Sequence, residues 1–412
     1  MRVLVAYGCA HYGKSLFWFV SELFFAFYLT EVAGFAPHHM GGVLGVGLVA
    51  SAFIDLLVGW KFGGRLQDAA AAGRIQLLGA VVSAIALTLV FMTDALPPAL
   101  RIAYALAIGL VFRIAYAAYD LPQNALLSLR DWPTLGRGGV AAVRLIGSGM
   151  AMLTVGFTIG VAFAAGADGE RMPLIIAVFC MIAVATAWWL RQSLREEASR
   201  ACVARDGAPM RWRPLVVPIL LVFVVSAAFS AFSKLETYFG VYTLGTATWG
   251  ARIAVAYGLG LMLLQPLWAI LYVRLGRRLM LGALSLGLAV FALGFLVWAS
   301  GSPVLALGFG FCLGAANGGF GLLLWAWFAD ETARSAQGRE SLSFGAFTAA
   351  SKLALAAGGL YVAAALTILD YRNAHSAWLA GVMTLLALLA AAVGLGVAAR
   401  LTRPSDNPIR SD

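Results

Sequence analysis

The sequence predicts an all-α membrane protein of twelve transmembrane helices, arranged as two six-helix bundles. Three observations predict it: the chain lacks a charged coat, apolar runs of helical length recur from end to end, and one charged stretch divides those runs six and six.

Of the 412 residues, 62% are hydrophobic and only 12% are charged. A soluble chain carries about 25% charged residues, so most of this surface must face lipid. The apolar runs fall near 5–30, 40–60, 75–94, 99–126, 140–165, 172–190, 214–243, 250–273, 279–300, 303–328, 341–369 and 376–399. As a helix, a run of about 20 residues crosses a hydrocarbon core of roughly 30 Å. A transmembrane β-barrel would need short alternating segments instead. The first run starts almost at Met1 and is far longer than a signal-peptide core, so no cleavable signal is expected. Cys9, Cys180, Cys202 and Cys312 show neither metal nor disulfide spacing, and thiols in apolar runs act as small hydrophobes.

The net charge of +10 is distributed unevenly. With the N-terminus inside, loops alternating and span ends soft by several residues, four Lys and Arg fall on the outer side, and Lys14, Arg113, Arg144, Lys234 and Lys352 fall within spans. The other 20 of the 29 Lys and Arg fall on the inner side. That asymmetry is the positive-inside rule, and it accounts for the basic balance without any nucleic-acid partner. It predicts a multi-pass protein of the cell's inner (plasma) membrane with both termini cytoplasmic. The expected partners are the lipid bilayer and a small solute, and the expected state is a monomer.

The divider is RQSLREEASRACVARDGAPMRWR, 191–213, dense in charge and without an apolar run. It predicts an N-terminal bundle over 1–190, a cytoplasmic linker over 191–213, a C-terminal bundle over 214–400 and a cytoplasmic tail over 401–412. The halves echo each other. Lys61, Arg65 and Arg74 follow the second span, and Arg274, Arg277 and Arg278 follow the eighth, each set in a short basic turn containing glycine. Two similar bundles facing a solute site at mid-depth form the major facilitator architecture. Glycines such as Gly41, Gly42, Gly45, Gly47, Gly147 and Gly149 lie within spans, where small residues allow close helix approach.

A charge at bilayer depth costs roughly 2.5–3.5 kcal/mol even on lenient scales, so ionisable residues in spans normally face a partner or a cavity. The fourth span carries Arg113, Tyr116, Asp120, Gln123 and Asn124 on one helical face, with Pro122 among them. The proline is expected to free a carbonyl toward a cavity. Asp120 reads either as a site carboxylate or as the ion-pair partner of Arg113 or Arg144. Asp55 follows Ser51 by one turn in the second span. With Asp120 it is expected to form a cation site, or else to anchor the inner loop through Lys61. Arg144 and Ser148 share a face of the fifth span, and a guanidinium fork suits sugar hydroxyls or a carboxylate. Lys14, Trp18 and Glu22 recur at steps of four in the first span, where Trp18 could stack on a sugar ring or simply pack. The seventh span has Ser226, Ser230, Ser233 and Thr237 on one face, with Lys234 and Glu236 near its outer end. The eleventh has Thr348 and Lys352 one turn apart.

One motif has to be refused. GCAHYGKS, 8–15, matches the phosphate-binding loop letter for letter. That loop works at the start of a helix in an α/β domain, whereas here a lipid-facing run, LFWFVSELFFAFYL, follows and no βα repeat exists. The histidines at 38 and 39 have no zinc-type spacing. No enzymatic chemistry, catalytic residue or cofactor is expected.

Several of these segments resemble the glycoside–pentoside–hexuronide:cation symporters, the major facilitator group that contains melibiose permease. AYGCAHYGKSLFWFV and YLTEVAG resemble that family's start, and IDLLVG, 54–59, its second-helix aspartate motif. AYAAYDLPQNALL, 115–127, resembles its fourth-helix sugar motif, with Asp120 and Pro122 matching. Arg144 stands at the family's fifth-helix arginine, and ADETARSAQGRESLSFGAFTAASKLALAAGG, 329–359, resembles its loop and eleventh helix, with Lys352 at the family lysine. The resemblance implies cation-coupled symport of a sugar or sugar-like solute by alternating access. It implies a cation site of Asp55, Asp120 and Ser51, and a solute site of Lys14, Trp18, Asp120, Asn124, Arg144 and Lys352. The sequence departs from the pattern at three places: Ser51 replaces the first of two second-helix aspartates, Ser15 an aspartate after the early lysine, and Asn124 an aromatic residue. The coupling ion is therefore open between a proton and sodium, with no other metal expected, and the solute extends from glycosides to sugar acids and amphiphiles. Proton-coupled export of a metabolite, drug or lipid-like solute is the alternative. A non-transporting membrane sensor is the alternative of another class.

Overall fold

The computed structural model describes residues 2–21, 25, 28–62, 68–164, 172–198, 210–368 and 377–401. Twelve α-helices are present among them: α1 Arg2–Phe19, α2 Pro37–Phe62, α3 Ala69–Val90, α4 Pro98–Leu129, α5 Gly136–Ala164, α6 Met172–Ala198, α7 Arg213–Tyr242, α8 Ala247–Leu263, α9 Gln265–Trp298, α10 Pro303–Ser335, α11 Glu340–Ile368 and α12 Ala377–Arg400. Residues 199–209 of the linker expected between α6 and α7, and all but Leu401 of the tail, lie outside the described residues.

Ten of these helices are long and apolar enough to cross a bilayer. The other two are α1 and α8. Helix α1 carries Arg2 and Lys14 and gives way at Val20 to wider π turns, which recur at Tyr28–Val32. Helix α8 is broken at Leu264 because Pro266 has no N–H for the carbonyl one turn back. It resumes as the first part of α9, which turns at Gly276 (φ 68°, ψ 175°), a backbone geometry that only glycine adopts without strain. Residues 247–275 therefore fill the predicted eighth span and 277–298 the ninth.

The helices are apolar outside and polar inside. On α2, Phe53, Leu57 and Trp60 are 61%, 62% and 67% exposed, while Ser51 and Asp55 are 0% exposed. Water would favour the reverse; a hydrocarbon solvent favours this one. Helix ends are closed locally. Asp68 Oδ1 accepts from Ala71 N–H (2.6 Å) to cap α3, and Pro98 sits where a helix start has no use for an N–H. Arg101 donates to the carbonyls of Ala33, Asp94 and Leu96, gathering the turns around the start of α4.

The chain divides into two compact units, Met1–Ile219 with Phe328–Ala356, and Leu220–Trp327 with Ala357–Asp412, so α7, α10 and α11 contribute to both. In the first unit, backbones touch where glycine leaves room. A Cβ at Gly79 of α3 would lie 2.7 Å from the carbonyl oxygen of Ala118 on α4. That carbonyl is the one Pro122 leaves without a helical donor, so the freed group is covered by α3 and does not open toward the polar face. Gly147 of α5 lies over the backbone of Gly8 and Tyr12, and Gly13 against Ala183 of α6. The phosphate-loop look-alike is thus the interior of α1, its amides used by the helix and its glycines by packing. The Phe328–Ala356 stretch joins the same unit. Gly59 meets the Ser341 carbonyl, Gly345 meets the Asp55 carbonyl, Ser128 Oγ donates to Ala329 O (2.8 Å), and Arg137 pairs with Asp330 (3.2 Å). In the second unit, Gly260 and Gly314 bring α8 and α10 into backbone contact. Phe232 and Phe239 of α7 each pack 5.1 Å from the Phe295 ring of α9.

Candidate functional site

Helical spacing decides which polar groups of the first unit can meet. Lys14 and Trp18 stand one turn apart on α1; so do Tyr116, Asp120 and Asn124 on α4, Ser51 and Asp55 on α2, Arg144 and Ser148 on α5, and Thr348 and Lys352 on α11. All five faces turn inward. Lys14, Asp55, Asp120, Asn124, Arg144 and Lys352 are each at most 7% exposed.

They form two centres. In the first, Lys14 Nζ lies 2.6 Å from Asp120 Oδ1 and donates to Asn124 Oδ1 at 2.9 Å. Asn124 Nδ2 donates to Asp120 Oδ2 at 2.9 Å, and Arg144 donates to Asn124 Oδ1 at 2.8 Å. One amide thus binds a lysine, a guanidinium and a carboxylate together. Asp120 reaches Lys14 for its salt bridge, where the sequence offered Arg113 or Arg144. Beside this centre His11 Nε2 and Ser15 Oγ each lie 3.0 Å from Ser148 Oγ, and His11 Nδ1 is buried without a hydrogen-bond partner.

In the second centre Lys352 Nζ lies 2.7 Å from Asp55 Oδ2 and donates to Ser51 Oγ at 2.8 Å, while Thr348 Oγ1 donates to Asp55 Oδ2 at 2.7 Å. Asp55 therefore pairs across helices with Lys352, and the sequence's alternative anchor, Lys61, is exposed at the end of α2. Between the centres stands an aromatic pair. Trp18 and Tyr116 have ring centroids 6.1 Å apart, and Lys352 Nζ is 5.8 Å and 6.0 Å from them. The Arg113 guanidinium is also 5.8 Å from Trp18, within cation–π range.

The structure thus brings together every residue the sequence singled out for cation or solute: Ser51, Asp55 and Lys352 in one centre, Lys14, Asp120, Asn124 and Arg144 in the other, and Trp18 between. In this conformer lysine ammonium groups occupy both carboxylates. Glu22 and the Thr237 side chain lie outside the described residues. Ser230 accepts from Lys234 (2.8 Å) along α7 in the second unit. Sequence reasoning passed over His11, although its steps of three and four to Lys14 and Ser15 put it on their face. It also passed over Tyr257 and Asn317, whose contact joins α8 and α10 (2.7 Å).

The comparisons with known proteins agree with this architecture. A symporter of Bacillus subtilis (strain 168), YjmB, itself uncharacterised, is 21% identical over 258 residues, 60% of this chain. The aligned part spans 56% of that relative's length. Among solved structures, a bacterial homologue of the iron transporter ferroportin in its outward-facing state superposes with a TM-score of 0.69 at 14% identity, over 97% of this chain and 99% of that one. The proton:xylose symporter XylE, bound to 6-bromo-6-deoxy-D-glucose, superposes with a TM-score of 0.64 at 13% identity, over 96% of each chain. At such identities the likeness is one of fold. Among the described residues no group of three His, Cys, Asp or Glu side chains is placed to hold a metal. The model of the MFS/sugar transport protein family matches residues 6–399, and the chain belongs to that family: a multi-pass membrane transporter of the major facilitator fold, and not an enzyme.

Proposed function

We propose that this protein is a cation-coupled symporter of the melibiose-permease-like group, carrying a sugar or sugar-like solute across the inner membrane by alternating access, with both termini cytoplasmic. One observation carries the reading: two lysine–carboxylate pairs, Lys14–Asp120 at 2.6 Å and Lys352–Asp55 at 2.7 Å, buried on the inward faces of helices whose outward faces are apolar. Charges are retained at that depth when they meet a partner or a permeating solute. Lys14, Arg144 and Asn124 offer a fan of donors and one acceptor to hydroxyl or carboxylate groups, and Trp18 offers a flat apolar face to a ring. Three cations, Lys14, Arg144 and Lys352, surround two carboxylates, Asp55 and Asp120. That surplus of positive charge supports an acidic sugar over a neutral one.

In this reading the solute enters the Lys14–Asp120–Asn124–Arg144 centre and takes over hydrogen bonds the side chains make among themselves. Lys352 holds Asp55 while the carrier is unloaded and is displaced when the solute binds. The test is uptake by reconstituted vesicles of a panel of hexosides, pentoses and hexuronates, under a sodium gradient or a pH gradient. Gradient-driven accumulation of one class, stronger for hexuronates and abolished by Asp120→Asn, is expected. Accumulation unchanged by Asp120→Asn would overturn the site, and no accumulation of any class would overturn the solute.

A further inference from the structure

Of the buried carboxylates in the spans, Asp55 and Asp120 each hold a lysine. Glu236 of α7, in the second unit, does not. It is 4% exposed, its Oε1 has no hydrogen-bond partner, and no salt bridge reaches it among the described residues. An ionised carboxylate in such a place would face the full cost of leaving water, whereas the neutral acid would not.

Among the described residues, no cation pairs with Glu236. On α7 itself, Lys234 donates to Ser230 one turn back and lies along Gly359 of α11. From α8, Tyr257 is the titratable neighbour; its hydroxyl also meets Ser233 and accepts from Asn317 Nδ2 at 2.7 Å. Arg252, the other charged residue of α8, stacks on Trp249 at 4.7 Å. The packed stretches 279–298 of α9, 303–327 of α10 and 357–368 of α11 contain no Asp, Glu, Lys, Arg or His. Of their hydroxyls, Tyr361 donates to the Val382 carbonyl. The polar neighbour of Glu236 is Tyr257, itself joined to Ser233 and Asn317, and Phe232 and Phe239, on either side of Glu236 along α7, both pack on Phe295.

Resting on the reading of the protein as a symporter, we infer that Glu236 is a proton-binding site of the second unit, and that the proton it carries is the coupling ion. The two first-unit carboxylates are already neutralised by lysines, and a carboxylic acid without a cation partner is a group that takes up and releases one proton as water reaches it. No bond other than O–H forms or breaks; the proton comes from the water on one side and leaves to the water on the other.

Infrared difference spectroscopy of the purified protein in bilayers reads the site without any solute. Between neutral and strongly alkaline buffer, a neutral-carboxyl C=O stretch that shifts in heavy water is expected to be lost from the natural protein and absent throughout from Glu236→Gln. Spectra identical in the two proteins would overturn the proton site. Gln keeps the shape of the neutral acid, so the variant should fold. Should it not, Glu236→Asp must shift the same band, and an unshifted band has the same negative meaning. In vesicles, whichever panel solute accumulates under a pH gradient should do so at least tenfold less in Glu236→Gln, while solute exchange at equal pH persists. Equal accumulation would overturn the coupling role and leave the symporter reading intact. Absence of transport with the band present would overturn the solute reading and leave the proton site intact.

Discussion

Removing Lys352 should cost this protein more than removing Lys352 and the charge of Asp55 together. Asp55 is 0% exposed, its Oδ1 has no hydrogen-bond partner, and its Oδ2 is held by Lys352 at 2.7 Å and Thr348 at 2.7 Å. In Lys352→Met the carboxylate keeps one hydroxyl donor and no cation. Stranding one member of a buried pair costs about 3–5 kcal/mol, roughly two to nearly four powers of ten in the folded population. In Asp55→Asn/Lys352→Met both charges are gone and the volumes are nearly kept, a change that is often close to neutral. The double variant should therefore lie at least about 2 kcal/mol above the sum of the singles. The assay is equilibrium unfolding in mixed micelles followed by tryptophan fluorescence, with all four proteins in one buffer. Independent sites add within about 0.3–0.5 kcal/mol. Additivity at that level would refute the claim that these two groups hold each other.

Other consequences are as direct. Gly79→Leu should destabilise the protein by about 1–3 kcal/mol or more through collision with α4, while Gly109→Leu, with nothing within 4 Å, should be neutral in the same unfolding assay. Arg101→Gln removes a cation that gathers three carbonyls and should cost about 1.5–3 kcal/mol, seen as faster proteolysis at the turn before α4. Trp18→Ala should cost about 1–2 kcal/mol by uncovering the cations of Lys352 and Arg113, with Trp18→Phe recovering part of it; equal stability of the two variants would remove the ring from the site. For the proposed orientation, cysteines replacing Arg101 or Arg252 should react with an impermeant thiol reagent from outside intact cells, and those replacing Arg130 or Arg334 only after permeabilisation.

What the sequence revealed and what it hid follow from how lipid constrains a chain. A helix in hydrocarbon must be apolar for about 20 residues, so the spans could be read directly, and the inward faces could be read from polar residues at steps of three and four. Spacing along one helix says nothing of which helix lies opposite. Asp120 was therefore legible as an inward-facing charge but its pairing with Lys14 was not, and Asp55 was legible while Lys352, nearly three hundred residues later, competed with nearby Lys61. The break at Pro266 and the turn at Gly276 were hidden because the apolar run continues through both. His11 was hidden because histidine in an apolar run resembles an isolated core residue until Ser15 and Ser148 are seen beside it. Glu236 was visible as a charge near a span end, but its isolation appears only when Lys234 is seen on Ser230 and Arg252 on Trp249.

The two lysines also explain how carboxylates can stay at this depth in an unloaded carrier. A bare carboxylate would need water or an ion with it whenever the surrounding helices move. Lys14 and Lys352 are tethered cations that supply that neutrality without a bound ion, and the glycine contacts of Gly59 with Ser341 and Gly345 with Asp55 bring α11 close enough for Lys352 to reach. If the proposed solute site is right, a solute that binds there must compete with a group whose local concentration is very high, so its apparent affinity falls by the fraction of time the lysine is away. Under the proposed cycle, that competition makes binding and rearrangement one event. Displacing Lys352 from Asp55 removes the ion pair that helps hold α11 against α2, so loading at the first unit loosens the contact that closes it.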